Sequence, residues 1–305
     1  MASHSTASSS QESSSARRKQ LDFRALPTWL GLVPVSGWFL FFLLIPMGFV
    51  LVDSFAHRGT YGGVVFEQLD FSNFARAFDP IYASILLKSL KLAAVTTVLC
   101  LLFGLPMAWV LAISPKSVRN WLLLAVVVPF WTNFIVRVYA IKVLLGHEGP
   151  IQALVRALQL PLLPESIASG PFAVQLGMVT NYLPFLVLPL WVSIEKFDFT
   201  LLEAARDLGA SRWSSFRRVL LPQIKPGLIS GMTFVFTPAL GEFVIPDLLG
   251  GARTMLIGNL VTEQFLRARD WPFGAALSML LVMCVLGALM IGNAFSRQRQ
   301  KRVRS

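Results

Sequence analysis

The chain has 305 residues, of which 55% are hydrophobic and only 14% are charged. Soluble globular domains carry about 25% charged residues, and here the apolar residues fall in long blocks, so a single membrane bundle fits and ordinary soluble domains do not. The formal net charge of +11 would suit a nucleic-acid binder, but the basic residues sit between and beyond the apolar blocks, where they act as a topology signal.

Residues 1–28 are Ser-rich, with Arg17, Arg18 and Lys19 ahead of the first apolar run. That run, Trp29 to Val52, is too long for a signal peptide and lacks a small-residue cleavage site. The stretch reads as a disordered cytoplasmic tail before an uncleaved first helix. A spanning helix needs roughly 20 mostly apolar residues. Residues 29–52, 92–113, 171–194 and 271–296 provide this without a charge. The second of these can start as early as Ile81, with Lys88 and Lys91 at its outer end. A further block from Trp121 to about Leu145 is interrupted by Arg137 and Lys142, and another from Pro226 to about Pro246 is interrupted by Glu242. The pattern predicts an all-α bundle of about six transmembrane helices over residues 29–296, then a basic cytoplasmic tail over 297–305. With the N-terminus inside, seventeen Lys and Arg residues fall on the inner side and six in the outer connections. Both termini are therefore expected to be cytoplasmic.

The outer connections are patterned too. Residues 53–80 are rich in Gly and aromatics. Ile151, Leu154, Val155 and Leu158 fall on one helical face. They predict a short interfacial helix that either caps the bundle or helps hold an external partner. Cys100 and Cys284 lie inside apolar blocks and read as small buried hydrophobes. His4, His57 and His147 have no metal-ligand spacing.

The inner connection 196–225 is polar yet ordered in pattern. From Thr200 to Pro222 it reads TLLEAARDLGASRWSSFRRVLLP. Thr200 and Glu203 have the spacing of a capping box, which predicts a helix from Leu201. Leu201, Ala204, Ala205 and Leu208 share one face, and Gly209 is a natural stop because glycine accepts the left-handed conformation. A second helix is predicted from near Ser211, with Trp213, Phe216 and Leu220 on one face, ending before Pro222. Such a capped surface pair either packs back on its own bundle or docks another protein.

This segment resembles the pattern EAA-x3-G-x9-I-x-LP of permease subunits of binding-protein-dependent ABC importers. The matching residues are Glu203, Ala204, Ala205, Gly209, Val219 (in place of Ile), Leu221 and Pro222, with Asp207 inside the helix. The resemblance implies the type I importer permease fold in a bacterial inner membrane. It implies that Glu203 to Gly209 form a coupling helix seated in a groove of an ATPase subunit. The partners it implies are a second permease subunit, two cytoplasmic ATPase subunits, a periplasmic substrate-binding protein and membrane lipid, with no nucleic acid. No G-x-x-x-x-G-K-[ST] phosphate loop occurs in the chain. ATP and Mg are therefore expected on the partner ATPases, with no cofactor in this chain, no metal site and no enzymatic activity of its own.

Further stretches are similar to permeases of spermidine/putrescine importers: PFWTNFIVRVY (129–139), SIEKFD (193–198), EAARDLGAS (203–211), PALGEFVIPDLLGG (238–251) and RDWPFGAA (269–276). This resemblance covers roughly residues 29–296 and implies polyamine cargo. A polyamine is an extended chain of ammonium groups, so its path should offer acidic groups, aromatic faces and amide or hydroxyl oxygens. Ionisable residues inside spans are functional candidates. Glu242 follows Pro238 and Gly241 and precedes Pro246, residues that interrupt a helix, and broken helices line transport sites. It either faces the path and attracts a cation or forms a structural pair with Arg137 or Lys142. Trp131 and Tyr139 offer cation–π surfaces, and Asn133, Asn181 and Tyr182 offer polar atoms. Each also suits packing or interfacial anchoring. Asp247 either draws cations at the outer mouth or caps a loop. Pro106, Pro129, Pro184, Pro189 and Pro238 act as hinges or as static kinks.

Two other readings remain within transport: an importer permease for another organic cation or small solute, and a stand-alone channel or secondary carrier. The second needs no docking helix with importer spacing. A membrane enzyme would need Gly-x-Ser-Gly, His-Glu-x-x-His or paired aspartates within the spans, and none occurs.

Overall fold

The computed structural model describes residues 28–59, 62–66, 68–157, 167, 169–251 and 254–303. The Ser-rich tail and Leu158 lie outside the described residues. The described chain is almost entirely helical, and it divides into one unit ending at Phe49 and another from Val50 onward.

The first span is α1 (Thr28–Phe39), five π-helical residues (Leu40–Leu44) and α2 (Ile45–Asp53). The π turn stands just ahead of Pro46. Proline has no N–H for the carbonyl four residues back, and its ring crowds that carbonyl. Widening the turn lets the helix continue past it.

A small antiparallel hairpin follows, β1 (His57–Arg58) paired with β2 (Val64–Val65), then α3 (Ser72–Ala77). The hairpin and α3 are tied to the start of the last helix. Arg58 Nη2 donates to the Ala268 carbonyl (2.7 Å), and Arg76 pairs with Asp270 (2.8 Å) with its guanidinium 4.0 Å from the Phe273 ring centre. The remaining elements are α4 (Pro80–Ile113), α5 (Lys116–Trp131), α6 (Phe134–Leu145), α7 (Pro150–Ala157), α8 (Pro171–Glu195), α9 (Thr200–Asp207), α10 (Arg212–Ser215), α11 (Leu221–Leu240), α12 (Val244–Leu249), α13 (Ile257–Glu263) and α14 (Trp271–Val303). The predicted interfacial helix is α7, and α14 runs on beyond residue 296 to Val303.

Five helices among the described residues are long and apolar enough to cross a membrane, or six if one bent pair counts as a span. The bent pair is the predicted third span. It is not one rod: Lys116–Trp131 and Phe134–Leu154 meet at 99°. Thr132 and Asn133 take extended backbone angles, and the Asn133 side chain accepts the Ile135 N–H at 2.8 Å, capping α6 as a fresh start.

The core is built from α4, α8 and α11. On α4 the buried face is Ala93, Thr97, Cys100, Gly104, Ala108 and Leu111, steps of three and four that mark one side of a helix. On α11 it is Ile224, Gly227, Gly231, Val235 and Ala239. Small residues let helix backbones approach where the hydrophobic effect gives no advantage over lipid. A Cβ at Gly104 would come 2.7 Å from Leu186 Cδ2, and one at Gly231 would come 3.1 Å from the Leu186 carbonyl oxygen. Both glycines therefore close on the same buried leucine of α8.

Candidate functional site: an exposed capped helix and a broken span

α9 lies at the end of the bundle where α8 finishes. Asp198 opens it: Oδ1 accepts the Thr200 N–H (3.0 Å) and the Thr200 hydroxyl (2.7 Å). The expected Thr200–Glu203 capping box is not formed. Phe199 already has helical angles (φ −66°, ψ −20°), so Thr200 is inside the helix and the capping duty falls upstream. The two bonds from Thr200 hold the Asp198 carboxyl below the usual carboxylate range.

The other end closes as expected. Gly209 has φ +85°, its N–H reaches the Arg206 carbonyl (2.8 Å), and the Ala210 N–H reaches the Ala205 carbonyl (3.0 Å). This is the glycine-terminated double bond pattern that satisfies the last free carbonyls. Leu202 is buried and anchors α9 to the bundle, whereas Leu208 is 89% exposed and Leu201, Glu203, Ala204 and Asp207 are exposed. Ala205 is half-buried. The apolar face read from the sequence thus points outward. Beside it, Arg119 and Glu195 pair at 2.6 Å, joining the start of α5 to the end of α8.

Ser211 caps α10 by accepting the Ser214 N–H (3.2 Å), and Trp213 stacks on Phe216 with ring centres 5.5 Å apart. The second helix does not stop before Pro222. Residues Phe216–Leu220 form a π turn, the Leu221 N–H bonds the Phe216 carbonyl five residues back, and α11 runs on to Leu240. Leu221 and Pro222 therefore mark the entry into a span, for the same reason given for Pro46.

Glu242 occupies the break between α11 and α12 and is only 8% exposed. Its Oε1 accepts the N–H groups of Phe243 (3.1 Å), Val244 (2.8 Å) and Ile245 (3.2 Å). Its Oε2 accepts a short hydrogen bond from the Tyr182 hydroxyl. Of the two alternatives read from the sequence, the pairing with Arg137 or Lys142 is not made among the described residues. The Arg137 guanidinium sits 5.5 Å from the Phe130 ring centre, and the Lys142 ammonium sits 5.9 Å from that of Tyr139. Glu242 is thus a buried cap that supplies acceptors to backbone amides freed by the break, which lipid could not satisfy. α13 lies against the same break: a Cβ at Gly258 would come 2.8 Å from the Glu242 carbonyl oxygen.

The other predicted path residues are spread out. Asn181 is buried beside Tyr182 in α8, where its Nδ2 donates to the Gly177 carbonyl (2.7 Å) and its Oδ1 has no partner among the described residues. Trp131, 80% exposed, Asn133 and Tyr139 belong to the α5–α6 bend. Asp247 is exposed on α12. The two breaks are linked by rings that sequence reading missed: Phe130 meets Phe185 edge-on (4.8 Å), and Phe185 neighbours Tyr182 (6.2 Å). Pro106, Pro129 and Pro184 line one apolar cavity of about 450 Å³ between α4, α5 and α8.

Residues 94–304 match the family described as binding-protein-dependent transport system inner membrane component. The chain belongs to that family. Among curated members, the spermidine/putrescine transport system permease protein PotB of Escherichia coli (strain K12) is 42% identical across 89% of this chain and 98% of its own length. PotB of Haemophilus influenzae is 42% identical across 84% of this chain and 89% of its own. A chain of the bacterial alginate ABC transporter, solved with an alginate pentasaccharide-bound periplasmic protein, superposes with a TM-score of 0.67 at 20% identity, over 90% of this chain and 94% of that one. The fold is that of an ABC importer permease, and the family member described here is a multi-pass membrane protein.

Proposed function

We propose that this chain is a permease subunit of an ATP-driven importer of spermidine and putrescine in a bacterial inner membrane. The observation that carries the transport reading is α9: a helix anchored by one buried leucine, closed by Gly209, with its apolar face turned outward. In a family of inner-membrane transport components, that face is suited to the groove of a motor subunit. Cargo class rests on the 42% identity to PotB along almost its whole length.

The bias of Lys and Arg places α9 and both termini on the cytoplasmic side. Two ATPase subunits bind ATP and magnesium there, outside this chain. Their closure moves α9, and the unbroken helix from Arg212 to Leu240 carries that movement to the break at Glu242. A periplasmic binding protein delivers cargo at the opposite face, and a second permease subunit completes the pathway. The test is uptake of labelled spermidine and putrescine by the reconstituted complex. ATP-dependent accumulation is the expected result. No polyamine uptake would remove the cargo assignment, and accumulation without ATP would favour a channel or carrier.

A further inference from the structure

The cavity of about 450 Å³ between α4, α5 and α8 lies at hydrocarbon depth. The charge-free stretch of α4, residues 92–113, is about 33 Å long at 1.5 Å per residue, which matches a hydrocarbon core of roughly 30 Å. The α4 wall of the cavity runs from Pro106 to Leu111, in the half of that stretch that the Lys and Arg bias places on the cytoplasmic side. Pro184 and Val187 of α8 are buried and form the floor, while Met107 and Val110 of α4 and Ala125 of α5 are exposed and form the rim. The cavity is therefore a groove between α4 and α5 that opens onto the inner leaflet.

Among the described residues α5 has no buried side chain, so the groove stands where packing between α5 and the bundle would otherwise be. Its walls carry one polar side chain, Thr180, whose hydroxyl is spent on the Leu176 (2.8 Å) and Gly177 (3.1 Å) carbonyls of α8. The lining therefore asks for neither charge nor hydrogen bond. Left empty, a void of this size forfeits dispersion contacts along its whole surface, and at this depth hydrocarbon is the medium that can enter. A helix of another subunit is too wide, since one turn with its side chains, 5.4 Å tall and 10–12 Å across, takes up about 420–610 Å³. An unbranched alkyl chain is narrow and needs no polar partner.

We infer that this groove binds an acyl chain of an inner-leaflet phospholipid, which packs α5 onto α4 and α8. α5 leads straight into the 99° bend at Thr132–Asn133, so the chain also steadies the helix from which that bend starts. The inference rests on the membrane placement of these helices and on no assignment of cargo.

The experiment uses the complete complex in bilayers that contain a phospholipid with a photoactivatable diazirine on one acyl chain. After irradiation, adducts are mapped by mass spectrometry. Wild-type adducts should concentrate at Val110, Leu122 and Val126, which line the groove. Ala125→Trp, which fills the groove from the α5 rim, should lower them roughly tenfold, the occupancy lost when about two methylene groups are no longer buried. Adducts elsewhere on the chain should stay unchanged. Met107→Trp fills the groove from the α4 rim and repeats the comparison where the first variant assembles poorly. A photo-crosslinking amino acid placed at Val126 should gain the mass of a lipid. Adducts no denser at the groove than on the rest of the chain, or unaltered by both tryptophan variants, would overturn the site. Capture of the second permease subunit at Val126 would also overturn it, since the groove would then be a contact between subunits.

Discussion

The exposed end around α9 and the buried break around Glu242 are held in opposite ways. α9 is shaped by bonds that begin and end between Asp198 and Ala210. Glu242 depends on Tyr182, 60 residues earlier, and on α13 closing over it through Gly258. In water, a helix end can be finished by its neighbours in sequence and by solvent. Within lipid, a helix end must find every acceptor inside the protein. The first region can therefore change its contacts with a partner without unfolding, whereas the second can move only as a set.

The sharpest way to break this contrast is Glu242→Leu. It strips acceptors from three amides and a hydroxyl, and each unsatisfied buried group costs about 1–3 kcal/mol. The expected loss is at least about 3 kcal/mol, read as a fall in the melting temperature of the detergent-solubilised complex. Glu242→Gln keeps a carbonyl acceptor and should retain most of the stability. Equal melting of the Leu and Gln variants would mean that the carboxylate does not hold the break.

Gly209→Val tests the other side. A left-handed residue with a side chain costs about 1–2 kcal/mol. Co-purification with the ATPase subunit should weaken roughly tenfold, while the melting of the bundle stays unchanged. Gly209→Asn, which tolerates that conformation better, should recover part of the loss. A drop in melting with association intact would reverse the division between the regions.

Tyr182→Phe removes a single hydrogen bond from the break and should cost about 1 kcal/mol in the same melting assay. It separates the tyrosine's contribution from that of the three amides.

The smallest effect is expected at Asp198, which is fully exposed. Its carboxyl is held below its ordinary value by Thr200, so the cap is in place above the unfolded value of about 3.9. It is lost as pH falls through the lower folded value. Protection of the Thr200 amide, taken against its intrinsic exchange rate at each pH, should therefore fall at the acid end, and Asp198→Ala should lack that protection at every pH. Exchange that ignores both changes would show that α9 is held by its packing on Leu202 rather than by its cap.

What was legible in the sequence follows the same divide. The four charge-free spans, the stop at Gly209 and the start at Ser211 rest on composition and short spacing, and they appear where expected. The capping box failed by a small margin, because Asp198 and Thr200 compete for the same role and only the angles at Phe199 decide between them. Pro222 misled because a proline that usually ends a helix was absorbed by a π turn, and nothing local distinguishes the two outcomes. The 99° bend at Thr132–Asn133 was hidden because the apolar run continues through it and the charged interruptions, Arg137 and Lys142, lie beyond it. Asn133 carried the signal, as a capping residue within an apolar run. The partner of Glu242 was not legible, since the sequence pointed to the charges of Arg137 and Lys142, and only the packing of α8 against α11 brings Tyr182 to it.

The π turn at Phe216–Leu220 has a consequence for how the chain can vary. It holds one residue more than an α-helix would over the same rise, and each residue turns the helix by about 100°. Deleting one residue there would restore ordinary geometry and swing the Trp213–Phe216 stack about a quarter of a turn around the axis, away from its present bearing relative to the glycine face that meets Leu186. The length of this short segment is therefore an angular setting between the surface helix and the membrane core, and relatives that keep the pair working must keep its residue count.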